Sequence, residues 1–185
     1  YIFLSFLLGN DFISHSPAVD LHNGGFDLLL DLYARFYVEL KCNLVSVKNK
    51  KINHDFLKSI IKDLGMMEDS ILETYYKKRL RWKPPNKNYD SQYEKDIDLL
   101  NFLPRINNNL ERDVRQGEDG WRDRYYQKIF SFDTTTRYEI DKLCHNYFEG
   151  LFWTFNYYNF ECISWEWSYL YHHSPSFHDL YLYMD

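Results

Sequence analysis

Two classes of protein are excluded by residue patterns that the sequence lacks. Its 185 residues include only three cysteines, Cys42, Cys144 and Cys162, and no CxxC pair. This set gives no even disulfide framework and favours free thiols in a reducing compartment. The glycine pair Gly24–Gly25 does not match the phosphate-binding loop of nucleotide hydrolases. A disulfide scaffold and a P-loop enzyme are therefore both excluded.

The sequence also lacks a long apolar run and a recognisable targeting segment. Its longest apolar run, Tyr1 to Leu8, is too short to span a bilayer as a helix, so no membrane partner is predicted. The chain begins inside this run and ends at Asp185 soon after a motif. We therefore expect a piece of a longer protein, whose targeting segment would lie outside this sequence.

Acidic and basic residues are unevenly distributed, although the net charge is only −5. Between Lys41 and Lys95 there are 13 lysines and arginines against 7 acidic residues, whereas the first 40 residues hold 1 against 5. An acidic region beside a basic one would suit a nuclease, which binds a polyanion next to metal ions. The alternative is a set of solvated helix faces, since charge runs often have that role.

Aromatic residues are abundant, with 5 Trp, 17 Tyr and 14 Phe. They concentrate between Tyr147 and Pro175, where the first half has helical spacing and the second half, from Ser164, does not. Large flat rings with polar edges suit a surface that stacks on nucleobases. An aromatic core is the alternative, and composition alone favours it. In the irregular half, Trp165 and Trp167 are the candidates for stacking.

A carboxylate follows the first apolar run. We predict a helix at Tyr1 to Leu8 that ends at Gly9, with a buried strand as the alternative. Asp11 then lies in a tight turn just beyond a packed element, where its carboxylate is both fixed and reachable. Magnesium binds hard oxygen ligands of this kind. The alternative is an ordinary turn, because Asn10 and Asp11 beside a glycine commonly form one.

Most of the remaining chain has the apolar spacing of α-helices, so we predict a mostly α-helical fold. Gly65 is predicted to end a helix that Asn53 caps, and a further helix is predicted from about Met67 to Arg79. Residues 45–52 are predicted to form an exposed loop, and 107–117 a polar, partly mobile segment. Further helices are predicted over 93–102, over 120–130, and from a cap at Asp133 or residues 134–136 to about Tyr158.

One predicted helix has a detailed prediction of its buried face. It begins at Asn23 or Gly24, and its apolar residues recur at helical spacing. The predicted inner face consists of Phe26, Leu29, Leu30, Tyr33 and Tyr37.

Three blocks of sequence, in order along the chain, resemble motifs of one family. Residues 9–17 hold GNDF, a histidine and a proline, and residues 120–130 hold GWR, RYY and a phenylalanine. Residues 149–180 hold EGLFW, YY, SWEW and YLYHHSP, followed by Asp179 and Leu180. Together the blocks resemble the conserved nuclease region of the Xrn family of 5′→3′ exoribonucleases. Four residues depart from the family pattern: Ser14, Leu170, His173 and Ser174.

The resemblance implies that residues 1–185 form a partial Xrn-type nuclease domain. This part is the mostly helical, later half of an α/β domain related to the PIN and flap-nuclease folds. The central sheet and the other acidic residues would lie upstream. The implied activity is Mg²⁺-dependent hydrolysis of single-stranded RNA from a 5′-monophosphate end, with Mn²⁺ as a substitute metal.

The same resemblance assigns roles to individual residues. Asp11 is the catalytic metal ligand, and the candidates for RNA contact are Trp165 or Trp167, one of which stacks on a base, and His172; a structural role is the alternative for His172. We expect an enzyme of RNA decay or processing in the cytoplasm, with the nucleus as the alternative. The fragment alone is expected to be inactive. A catalytically inactive relative that binds RNA or a protein is the alternative, which the departures at Ser14, Leu170 and His173 support and Asp11 opposes.

Overall fold

The backbone is predominantly α-helical, which confirms the predicted fold class. The structure is a computed structural model that describes residues 1–107 and 109–185, and the side chains of 104–106 lie outside that description. The helices are α1 (Ile2–Ser5), α2 (Gly25–Leu40), α3 (His54–Arg81), α4 (Gln92–Ile106), α5 (Asn109–Val114), α6 (Trp121–Tyr125), α7 (Tyr138–Asn159) and α8 (Phe177–Met184). Within the described ranges, no helix is long and apolar enough to cross a bilayer.

Shorter elements connect these helices. Two 3-10 turns cover Phe6–Leu8 and Leu21–Asn23, and a π-helical turn covers Tyr126–Phe130. Strands β1 (Val45–Ser46) and β2 (Lys51–Ile52) pair antiparallel. The segment that was predicted as an exposed loop is therefore a small hairpin, because Val45 pairs with Ile52.

The chain divides into two compact units. Unit 1 consists of Tyr1–Glu68 and Phe132–Asp185, and unit 2 consists of Asp69–Ser131. Asp11 and residues 160–176, the irregular aromatic segment, belong to unit 1. The residues predicted to act in function are therefore all in unit 1.

Unit 1 begins with the predicted short helix. α1 and the 3-10 turn after it bury Phe3, Leu4, Phe6 and Leu7. Gly9 follows with φ of +90°, a conformation that side chains with a Cβ rarely adopt. The prediction of a helix that ends at Gly9 is confirmed.

Helix α2 forms where predicted, but part of its predicted inner face is wrong. The buried side chains are Leu29, Leu32 and Phe36. Tyr37 is 48% exposed, and its ring lies parallel to that of Tyr33 with 6.0 Å between centroids. A tyrosine suits this rim position, because its ring can pack while its hydroxyl remains in water.

Helix α3 corrects the prediction that Gly65 ends a helix. Asn53 caps the helix as predicted, since its Oδ1 accepts from Phe56 N at 3.1 Å, but α3 continues to Arg81. A Cβ on Gly65 would lie 3.2 Å from both N and Cα of His178. The glycine therefore permits close approach of the backbone at the start of α8, and the two predicted helices are one.

Unit 2 contains α4, α5, α6 and the π-helical turn. Within residues 107–117, which were predicted to be polar and partly mobile, the short helix α5 forms and buries Val114. Glu111 on α5 accepts from Arg79 Nε at 2.9 Å. This tertiary ion pair and the buried valine supply the stabilisation that a six-residue helix lacks by itself.

Helix α7 runs through unit 1 and ends near the predicted residue. Its start was predicted at a cap on Asp133 or residues 134–136, which is wrong, because the residue before it is Arg137 and this makes no side-chain cap. Asp133 instead accepts from the backbone and side chain of Thr135. The buried face of α7 includes Leu143, Tyr147, Leu151 and Phe155.

Helix α8 is fixed at its first turn by buried polar groups. Ser176 Oγ accepts from Asp179 N at 3.1 Å, and the buried Glu68 accepts from Phe177 N at 2.8 Å. Arg137 Nη1 donates to Asp179 Oδ1 at 2.8 Å. Carboxylates at a helix N-terminus satisfy free N–H groups and complement the helix dipole. The irregular aromatic segment therefore ends at Ser176, the capping residue of α8.

Candidate nucleic-acid interface

The turn that carries Asp11 is closed by the residue before it. Asn10 Oδ1 accepts from Phe12 N at 2.9 Å and from Ile13 N at 3.1 Å, and Asn10 N donates to Ile13 O at 3.0 Å. This is the local turn that Asn forms with its own backbone. Asp11 lies inside the loop and its side chain is exposed. The prediction of a tight turn with a reachable carboxylate is confirmed as geometry.

The same turn packs against helix α7. The Phe12 ring meets Trp153 edge-on at 4.8 Å between centroids and Tyr157 at 5.1 Å. Ile13 is buried and reaches α7 at Gly150, where a Cβ would lie 2.5 Å from its Cγ2. The residues on the carboxyl side of Asp11 are thus embedded in the aromatic part of the core.

The irregular aromatic segment, residues 160–176, forms no helix or strand in the described structure. It is attached to α7 by polar contacts at two points. Trp153 Nε1 donates to Ser164 O at 2.8 Å, and Asn146 Oδ1 accepts from Leu170 N at 2.9 Å. The break in helical spacing at Ser164 therefore marks a real change of structure, as predicted.

The two candidate tryptophans lie in different environments. Trp167 is half-buried and its ring stacks on that of Trp153, with 5.3 Å between centroids and 24° between planes. Trp165 is 83% exposed. Stacking on Trp153 covers one face of the Trp167 ring. Of the two tryptophans, Trp165 offers the more open ring to a ligand.

His172 lies where the aromatic segment meets the Asp11 turn. Its backbone oxygen accepts from Ser14 Oγ at 2.8 Å, and the neighbouring His173 oxygen accepts from the Tyr169 hydroxyl at 2.7 Å. Burial and the nearby His172 and His15 lower the pKa of His173. Ser14, which departs from the family pattern, thus directly joins the two stretches predicted to act together.

The described residues do not form a complete metal centre. Asp11 supplies an exposed hard oxygen in a fixed turn, which suits Mg²⁺. Among the described residues, however, no three His, Cys, Asp or Glu side chains converge on one point. Asp11 therefore fits as a single contributor to a centre whose other ligands would come from elsewhere.

Cysteine chemistry is not supported at this site. All three cysteines are free, and only Cys144 is fully buried. Burial raises the pKa of the Cys144 thiol far above its usual value. A thiol of this kind stays protonated and behaves as a small apolar group.

Two residues of the site were not singled out by sequence reasoning. Phe12 and Gly150 bring the Asp11 turn and α7 together, yet each has an ordinary interpretation, as an apolar residue and as a motif glycine. The available signal was a glycine in the interior of a long amphipathic helix, which is costly unless close packing requires it.

Comparison with known proteins places this chain in a family. The family described as the Xrn1 helical domain matches residues 1–103 and 104–184. The chain belongs to this family, which confirms the resemblance drawn from the three motif blocks.

Curated relatives agree with this assignment. The chain is 24% identical to the 5'-3' exoribonuclease 2 homolog of Drosophila melanogaster over 215 residues, which cover 95% of this chain and 24% of that protein. It is 24% identical to 5'-3' exoribonuclease 2 of Gallus gallus over 237 residues, which cover 95% and 25%. It is 23% identical to 5'-3' exoribonuclease 2 of Arabidopsis thaliana over 258 residues, which cover 97% of this chain and 25% of that protein. The chain spans about a quarter of the length of these relatives.

Proposed function

We propose that this chain is the helical part of a 5′→3′ exoribonuclease that degrades single-stranded RNA from a 5′-monophosphate end. Family membership and the names of the curated relatives support an exoribonuclease role. In this proposal residues 1–185 form the carboxy-terminal helical portion of a nuclease domain, and the remaining acidic residues lie upstream.

The observation that carries the proposal is the junction between the Asp11 turn and the aromatic segment. Ser14 Oγ donates to His172 O at 2.8 Å, so the turn that carries the exposed Asp11 and the segment that carries the exposed Trp165 contact each other within unit 1. A nuclease that does not read sequence needs both a metal ligand and a sequence-tolerant contact to the strand.

Each residue has a separate role in this proposal. Asp11 holds one ligand position of a Mg²⁺ or Mn²⁺ ion; such ions activate water and neutralise charge on the leaving oxygen. Trp165 stacks on a base, which binds the strand without reading its sequence. His172 contacts the same strand beside Ser14, while Trp167 supports the segment by packing on Trp153.

The test is the substitution Asp11→Asn in the full-length protein, which keeps the size and polarity of the side chain. We expect a loss of RNA hydrolysis of roughly 100-fold or more, because a neutral amide is a poorer metal ligand than a carboxylate. Degradation of 5′-monophosphorylated single-stranded RNA is measured over a range of Mg²⁺ concentrations. Asp31→Asn, an exposed acidic residue on α2, is the matched control and should keep the parent rate.

Two results would contradict the proposal. If Asp11→Asn degrades RNA at the parent rate, Asp11 is not a metal ligand. If the full-length parent binds single-stranded RNA or a protein but does not hydrolyse RNA, the chain belongs to a catalytically inactive relative.

A further inference from the structure

We propose that Phe12, Gly150 and Trp153 are positioning residues that hold the Asp11 carboxylate at its working location. This inference rests on the proposed role of Asp11 as a metal ligand. It assigns to part of the aromatic cluster a task other than RNA contact: the stacked rings of α7 fix the turn that carries the carboxylate.

Asp11 has no anchor of its own in the described structure. Its carboxylate takes part in no hydrogen bond or ion pair among the described residues, and it is exposed. Its location is therefore set through the backbone by its neighbours. Asn10 closes the turn by accepting hydrogen bonds from Phe12 N and Ile13 N. The side chains of Phe12 and Ile13 then fix the position of the turn by packing on α7.

Phe12 packs into a preformed ring stack. The Trp153 ring lies parallel to that of Tyr157, with 5.1 Å between centroids and 10° between planes, and Trp167 stacks on Trp153. Trp153 is also held by its bond from Nε1 to Ser164 O. Phe12 meets Trp153 and Tyr157 edge-on, the geometry that aromatic pairs prefer. Phe12, the residue that follows Asp11, is therefore packed against rings that are themselves stacked on one another.

Gly150 is the point where the turn, α7 and the aromatic segment come closest. A Cβ at this position would lie 2.5 Å from Ile13 Cγ2 and 3.0 Å from Trp167 Cη2. Alanine is a better helix former than glycine, so Gly150→Ala does not weaken α7 by itself. Its added methyl group pushes on Ile13, two residues after Asp11, and thereby displaces the turn.

The experiment measures metal binding and turn rigidity in the full-length protein without RNA. Variants Gly150→Ala and Phe12→Leu are titrated with Mn²⁺ by calorimetry, and hydrogen exchange is followed at the amides of Phe12 and Ile13. We expect Mn²⁺ to bind about 10- to 100-fold more weakly, as for the loss of a residue that orients a metal ligand. The two amides should exchange faster, because their bonds to Asn10 Oδ1 depend on the packed turn.

A control and a rescue separate positioning from stability. Phe155→Leu removes a buried ring of α7 whose ring contacts are with Phe3 and Phe160; it should lower the melting temperature but leave Mn²⁺ affinity at the parent value. Adding Ile13→Leu to Gly150→Ala removes the Cγ2 atom that the new methyl group meets and keeps an apolar side chain of similar volume in the packing of the turn. The double variant should therefore regain most of the lost affinity.

The outcomes distinguish this inference from the proposed function. Folded Gly150→Ala and Phe12→Leu proteins with parent Mn²⁺ affinity, beside a weakened Asp11→Asn protein, would overturn positioning and leave the metal role intact. Parent affinity in Asp11→Asn as well would overturn the metal role, and the positioning role with it.

Discussion

The two stretches that meet at the candidate site are held in different ways. The Asp11 turn, residues 9–14, is fixed by three hydrogen bonds of Asn10 and by the packing of Phe12 and Ile13 on α7. The aromatic segment is attached at separated points, at Ser164, Trp167 and Leu170, and the ring of Trp165 between them is exposed.

This difference matches what each stretch would have to do. A metal ligand works only when its oxygen is held close to the required geometry. A ring that stacks on a base tolerates variation in position and sequence, because every base presents a flat face. We infer that the backbone of the Asp11 turn is held in place while the exposed ring of Trp165 is free to adapt.

The largest expected effect concerns the ring that anchors the aromatic segment. Trp167→Ala should lower the free energy of unfolding by about 3 kcal/mol, at the low end for large aromatic truncations because Trp167 is half-buried. The loss comes from its stacking on Trp153 and its contact at Gly150. Chemical denaturation of the full-length protein measures it. Trp82→Ala is the comparison, since it removes a half-buried tryptophan of unit 2 that packs on Phe102.

Trp167→Ala also has a clear contradicting result. If its stability equals that of the parent while RNA affinity falls sharply in the folded protein, Trp167 and not Trp165 makes the RNA contact. The contrast between an anchoring ring and an open ring would then be reversed.

The next effect concerns the open ring. Trp165→Ala should weaken binding of single-stranded RNA by about 1–3 kcal/mol, the usual cost of losing one stacked base. Stability should change by less than about 0.5 kcal/mol, as for exposed positions in general. Affinity is measured at fixed salt on the Asp11→Asn background, so that the RNA is not degraded.

Two variants show whether the effect belongs to the ring of Trp165. Trp165→Phe should retain most of the affinity, because it keeps a flat face. Ile163→Ala, an exposed apolar residue of the same segment, should bind RNA like the parent. Equal losses in Trp165→Ala and Ile163→Ala would mean that general apolar contact, and not stacking, binds this segment to its ligand.

Much of the fold could be predicted from the sequence, because apolar spacing and capping residues are local signals. The helical class, the end of the first helix at Gly9 and the Asn53 cap all follow from such signals. Two features that local sequence does not predict, the continuation of α3 past Gly65 and the short helix α5, have a tertiary cause. Gly65 permits close approach of the backbone at His178, and α5 depends on the pairing of Glu111 with Arg79. Neither partner is near in sequence.

The candidate site was predictable only where it depends on local signals. The sequence predicts the Asp11 turn and the irregular aromatic segment, since glycine, asparagine and the loss of helical spacing are visible in it. The choice between Trp165 and Trp167 requires the structure, because it depends on which ring meets Trp153. The junction from Ser14 to His172 spans 158 positions and has no local signal.

The smallest expected effect is a pH dependence at that junction. Burial and the nearby His172 and His15 lower the pKa of His173 in the folded protein, below the value of about 6.5 in an unfolded chain. The unfolded state therefore binds more protons, and stability falls as the pH drops through that range. His173→Gln should show a shallower decline in melting temperature between about pH 7.5 and pH 5. His22→Gln, an exposed histidine of the Leu21–Asn23 turn, is the control and should keep the parent slope. A parent slope in His173→Gln would mean that protonation of His173 does not weaken the contact between the Asp11 turn and the aromatic segment.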